Sequence, residues 1–144
     1  DQYAALLKKY PNPASVTFCW MQGESDAKKN LQEPYNEALK QLITNLRRDL
    51  KQPEMKFVIG RISDHKKASD APWEAVRQGQ VNLAKSDPLG AWVDCDDLNN
   101  KVKNNVTTDD LHYTKEGYDL FGQRLARQAV RLIEGEEPDS KGKP

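Results

Sequence analysis

Lys56-Phe57-Val58-Ile59-Gly60-Arg61-Ile62 is a short, nearly continuous apolar run, set between Pro53 and a polar stretch. A run of this length, rich in β-formers and apolar at successive positions, reads as a strand buried on both faces. Before it, Tyr35, Ala38, Leu39, Leu42, Ile43, Leu46 and Leu50 recur at i, i+3, i+4 and i+7. That spacing predicts an amphipathic helix, and Pro34 suits its first turn. After it, Asp70 is placed to cap a helix from about Pro72 to Ala84, with Trp73, Val76 and Leu83 turned inward and Asp87-Pro88 as its stop. Two further apolar runs read as strands, Ser15 to Trp20 and Ala91 to Cys95. A short helix carrying Tyr3, Leu6, Leu7 and Tyr10 precedes them. A last helix, capped by Thr114, is expected to bury Tyr118, Phe121, Leu125, Ala129, Leu132 and Ile133.

The order is therefore α-β-α-β-α-β-α. Such alternation predicts an α/β fold, a three-layer α/β/α arrangement around a parallel sheet. Residues 1–134 are read as one unit and 135–144 as a disordered tail. Ligands of open parallel sheets bind beyond the carboxyl ends of the strands. Three segments qualify: Met21 to Asp26, Ser63 to Asp70, and Asp94 to His112, the last read as a long polar loop.

Composition narrows the classes of function. The 144 residues are 37% hydrophobic and 31% charged, with a formal net charge of zero. No basic excess points to nucleic acid, and no apolar stretch approaches the roughly 20 residues of a membrane span. Neither partner is expected. Cys19 and Cys95 sit in apolar runs and read as small buried residues, since no Cys or His lies at ligand spacing near either. Asp94, Asp96 and Asp97 lack a calcium-loop spacing and read as solvated carboxylates. No metal and no cofactor is expected.

The unusual polar clusters lie in the strand-end segments. Trp20-Met21-Gln22-Gly23-Glu24-Ser25-Asp26 follows the first strand, and Asp109-Asp110-Leu111-His112-Tyr113-Thr114 leads into the last helix. The first resembles the W-x-Q-G-E-S-D/N block of sialate O-acetylesterases and of carbohydrate esterase family 6, which includes acetylxylan esterases. The second resembles the D-x-L-H block of SGNH (GDSL) hydrolases. The resemblance runs over nearly the whole chain up to the tail. It implies a flavodoxin-like SGNH hydrolase fold, of which these strands would be the last three of five. It also implies a serine carboxylic ester hydrolase acting without a metal on acetylated carbohydrate, and it favours a secreted or periplasmic setting.

The residue chemistry agrees. A serine esterase needs a base for the hydroxyl proton and a group that orients the base. His112 is one of two histidines, and imidazole suits proton transfer near neutral pH. Asp109, three residues earlier, is the candidate to hold its Nδ1. The carbonyl that is attacked develops negative charge, and the Gln22 amide is the candidate donor to it, as the resemblance also implies. Gly23 gives the loop a conformation other residues resist, and Glu24 is a candidate buttress. His65 is a candidate for lining the pocket; a solvated loop histidine is its other reading.

The nucleophile is read as lying elsewhere. The family's G-D-S or G-Q-S-N segment does not occur here. It is expected on a missing N-terminal segment of the same enzyme, or on another chain, pairing along the Ser15–Trp20 strand edge. A second reading takes Ser25 as an α/β-hydrolase-like nucleophile, against which stands a helix expected only from Pro34. A third is a non-catalytic carbohydrate-binding module.

Overall fold

The computed structural model describes residues 2–65 and 70–139, apart from the side chains of Lys103, Thr107 and Asp109. Strands β1 (Thr17–Trp20), β2 (Lys56–Gly60) and β3 (Gly90–Val93) form one parallel sheet in that order. The register sets Phe18 beside Phe57 and Ile59 beside Trp92. Helices α1 (Gln2–Lys9), α2 (Glu24–Lys28), α3 (Gln32–Asp49), α4 (Ala71–Ser86) and α5 (Lys115–Glu134) complete the layers, with a hairpin of β4 (Asn100–Lys103) and β5 (Val106–Asp109) before α5.

Alternation along β2 builds two cores. Phe57 and Ile59 point to one face and pack with Tyr35, Leu39 and Ile43 of α3 and Trp73 and Val76 of α4. Val58 points to the other and joins Ala91 and Val93 beneath Leu125, Ala129 and Leu132 of α5. Side chains buried this way contribute about 1.5–3 kcal/mol each. Helices thus cover both faces of β2 and β3, as expected of parallel strands without a wet side. The Asp70 carboxylate accepts from Trp73 N and the Thr114 hydroxyl from Gly117 N, so both expected caps are in place. Gly135 closes α5 in a left-handed conformation. Beyond it, Glu137 O accepts from Arg131 Nε and Asp139 N donates to Gln128 Oε1, while residues 140–144 lie outside the described residues.

Several expectations need correction. The strands are shorter than read, by up to two residues at an end. The long loop after β3 contains the β4–β5 hairpin, whose turn residues Asn104 and Asn105 both have positive φ, 52° and 60°. A type I′ turn demands that. A short helix, α2, occupies the segment read as loop after Gly23. Cys95 is buried, and burial pushes its thiol up to about 12, but Cys19 is exposed. Cys19 shares the strand face of Val58, and α5 packs over β2 and β3 rather than over β1. On α5, Tyr118 and Ile133 are exposed, and the polar Arg124 and Gln128 take buried positions.

The carboxylates read as solvated are salt-bridged. Arg77 grips Asp96 with two nitrogens at 2.8 and 2.9 Å and donates to Ile62 O at 2.6 Å. Arg61 reaches Asp94 and Asp96 at 2.8 and 2.7 Å, and Arg124 holds both oxygens of Asp97 at 2.7 Å. Planar guanidinium forks suit such paired oxygens. The network ties the β3–β4 connection to β2, α4 and α5.

Candidate active site

Residues just beyond β1 turn sharply at Gly23, whose φ is 144°. A side chain there would be strained, and its Cβ would lie 2.9 Å from Val76 Cγ1. The turn is fastened from behind. Gln22 O accepts from the Tyr35 hydroxyl and, at 2.8 Å, from Gln80 Nε2. Gln80 is fully buried; its Nε2 also donates to the Tyr35 hydroxyl and its Oε1 accepts from Ile62 N. Burial raises the Tyr35 phenol pKa, which keeps it a neutral donor. The Gln22 side chain is held separately, its Nε2 donating to Asp26 Oδ2 at 2.6 Å.

The second half comes from the hairpin. Asn99, fully buried, donates through Nδ2 to Asp110 O at 2.9 Å, while Asp110 N donates back to Asn99 O at 3.0 Å. The Asp110 carboxylate accepts from Lys101 Nζ at 2.8 Å and from His112 N at 3.2 Å. Lys101 foremost, with the His112 and Leu111 N–H groups, holds that carboxyl down at about 2. Asp110 therefore fixes the backbone on which His112 sits. The imidazole stands exposed one step before the buried Tyr113.

The two halves meet. Met21, Gln22, Glu24, Ser25 and Lys28 line a cleft of about 550 Å³ together with Leu111, His112, Tyr113 and Tyr118. The sheet thus brings Gln22, Glu24 and His112 to a single cavity at its carboxyl end, with Gly23 buried behind. Asp109 ends β5 opposite Asn100, and its side chain lies outside the described residues. His65 is not part of this lining. Its ring packs against Trp73 at 5.9 Å, and among the described residues its buried Nδ1 has no hydrogen-bond partner.

Ser25 shares the cleft, and α2 does open directly after β1, so the objection drawn from a late helix falls away. Other features differ from a nucleophile elbow. The left-handed residue is Gly23, Ser25 lies inside the helix, and no hydrogen bond joins its hydroxyl to the His112 ring among the described residues. No group of three or more metal-ligating side chains occurs among the described residues, nor any helix long and apolar enough to cross a membrane.

Sequence reasoning missed Gln80, Asn99, Asp110 and Tyr118. Gln80 and Asn99 carry no periodic signal, Asp110 was overshadowed by its neighbour, and Tyr118 was assigned to the core. No curated protein and no solved structure matches the chain. A family model described as carbohydrate esterase, sialic acid-specific acetylesterase, matches residues 2–131. That span holds every residue lining the cleft and the parallel sheet that carries them, and the chain belongs to this family of carbohydrate esterases.

Proposed function

We propose that the chain supplies the base and an oxyanion donor of a serine-dependent carbohydrate O-acetylesterase. The observation that carries this is the shared cleft of Gln22 and His112, residues brought together from two distant loops. His112 takes the proton of a serine hydroxyl as its oxygen attacks the acetyl carbonyl. Asp109 orients the imidazole and stabilises its charged form. The Gln22 amide, one hydrogen of which is committed to Asp26, offers the other to the developing oxyanion. Collapse of the tetrahedral intermediate expels the sugar oxygen, which takes the proton from His112. Water, giving a proton to His112, then attacks the acetyl-serine carbonyl; the bond to the serine oxygen breaks, acetate leaves, and His112 returns the proton to the serine.

The serine itself is assigned to a segment outside these residues, pairing along the free edge of β1. That edge has no partner strand among the described residues, and an unpaired edge is a template for another strand. An acetylated sugar, of the sialic acid or xylan type, is the proposed substrate. The position of Ser25 on the cleft favours a second reading in which it is the nucleophile.

Hydrolysis of an acetylated sugar, assayed with the upstream segment restored, separates the readings. His112→Ala is expected to abolish turnover, and Gln22→Ala to lower kcat by about 10²–10³ with little change in KM. Ser25→Ala is expected to stay within about threefold of wild type, since in this reading Ser25 lines the cleft without bonding to the substrate, and loss of such a hydroxyl alters energies by about 0.5 kcal/mol. Turnover surviving in His112→Ala contradicts the proposal, loss in Ser25→Ala supports the second reading, and sugar binding without hydrolysis indicates a binding module.

A further inference from the structure

Tyr118 lies one turn into α5, where the helical pattern expects a core residue, yet 51% of it is exposed. A large aromatic exposed within a cleft loses the stabilisation of burial, and such surface commonly marks a binding site. The ring is not loose. It rests at 5.2 Å and 48° against Tyr113, which is only 6% exposed. Tyr113 in turn meets Phe121 edge-on at 6.0 Å. The helix beneath is pinned by its Thr114 cap and by Gly117, where an added Cβ would come within 2.5 Å of Leu98 O. The phenol ring is thus a supported plane in the cleft that Gln22, Glu24 and Lys28 also line.

The chemistry of the proposed reaction says which half of the substrate comes here. The group that protonates the leaving sugar oxygen must lie beside that oxygen, so the sugar sits on the side of His112. Tyr113 and Tyr118, within six residues of His112 in the chain, are the aromatic residues lining the cleft, and Tyr113 is covered. A pyranose has an apolar face of C–H groups and a rim of hydroxyls. The Tyr118 ring matches the first. Glu24 and Lys28, which line the same cleft, supply an acceptor and a donor for the second.

We infer that Tyr118 is the platform on which the sugar ring of the substrate stacks, a specificity-determining residue. The inference rests on the esterase reading for its choice of ligand, but its test does not require turnover. The 144-residue chain is titrated with N-acetylneuraminic acid and with methyl β-xyloside, and binding is followed by amide chemical shifts. Saturable binding is expected to move the signals of residues 21–28 and 111–118. Tyr118→Ala is expected to weaken it about tenfold, the upper range of an aromatic contact, and Tyr118→Trp to retain it. Circular dichroism checks that both variants stay folded. Binding unchanged in Tyr118→Ala overturns the inference, as does no saturable binding of either sugar to wild type. Failure of the esterase reading would look different: sugar bound through Tyr118, with no ester hydrolysed.

Discussion

Asp110 and His112 are joined through backbone rather than ring. The Asp110 carboxylate spends its two oxygens on Lys101 and on the His112 N–H, which leaves the imidazole free to turn toward the cleft. Held at about 2, this carboxyl is ionised in the folded chain well below the usual carboxylate value of about 4. A depressed value means that the charged form is favoured by folding. Its contribution is present above about pH 4 and is lost as pH falls through about 2. The His112 amide signal is therefore expected to shift with an inflection at about 2, and Asp110→Asn to remove it. An inflection at the ordinary value of about 4 would show that the carboxylate is not engaged. His112 and Gln22 could be singled out from the sequence, because imidazole and amide at strand ends carry chemical meaning, and they line one cleft; the side chain of Asp109, singled out with them, lies outside the described residues. Asp110, Asn99 and Gln80 were not. Their roles depend on which backbone groups lie opposite them, and spacing along the chain does not encode that.

At the scale of elements, legibility followed periodicity. Helices α3 and α4 and the strand β2 were readable from apolar spacing. Helix α2 was not, because Glu24-Ser25-Asp26-Ala27-Lys28 has a single buried apolar residue, Ala27, and is held by the Ala27 N–H to Gly23 O bond and its neighbours. The hairpin was not, because Lys101, Lys103, Thr107 and Thr108 make its strands look like loop, while its Val102 and Val106 are exposed. Tyr118 was misread because helical spacing marks a face and does not say how far the neighbouring layer extends. The elements that frame the site meet at Gln80, which links the end of β2, the Gln22 turn and α3. Gln80→Leu removes three hydrogen bonds and leaves the Ile62 N–H buried without its acceptor. The expected loss is about 2–4 kcal/mol in urea unfolding. A loss below about 1 kcal/mol would show that the hub is not tightly made.

For the whole molecule, the sheet has an asymmetry that matters. Both faces of β2 and β3 are covered, whereas β1 leaves Cys19 exposed on one face and its outer edge unpaired among the described residues. A seam of that kind beside Gln22 is where the proposed account seats the segment bearing the serine. The alternation of helix and strand made the α/β architecture readable from the start, and the position of the seam followed from the resemblance to SGNH hydrolases. Covalent labelling addresses the account most directly. A fluorophosphonate, which phosphonylates an activated serine, is reacted with the chain joined to the serine-bearing segment that the account proposes, and the modified peptide is mapped by mass spectrometry. The account predicts one modified serine outside residues 1–144 and loss of labelling in His112→Ala; label on Ser25, or labelling indifferent to His112, would contradict it.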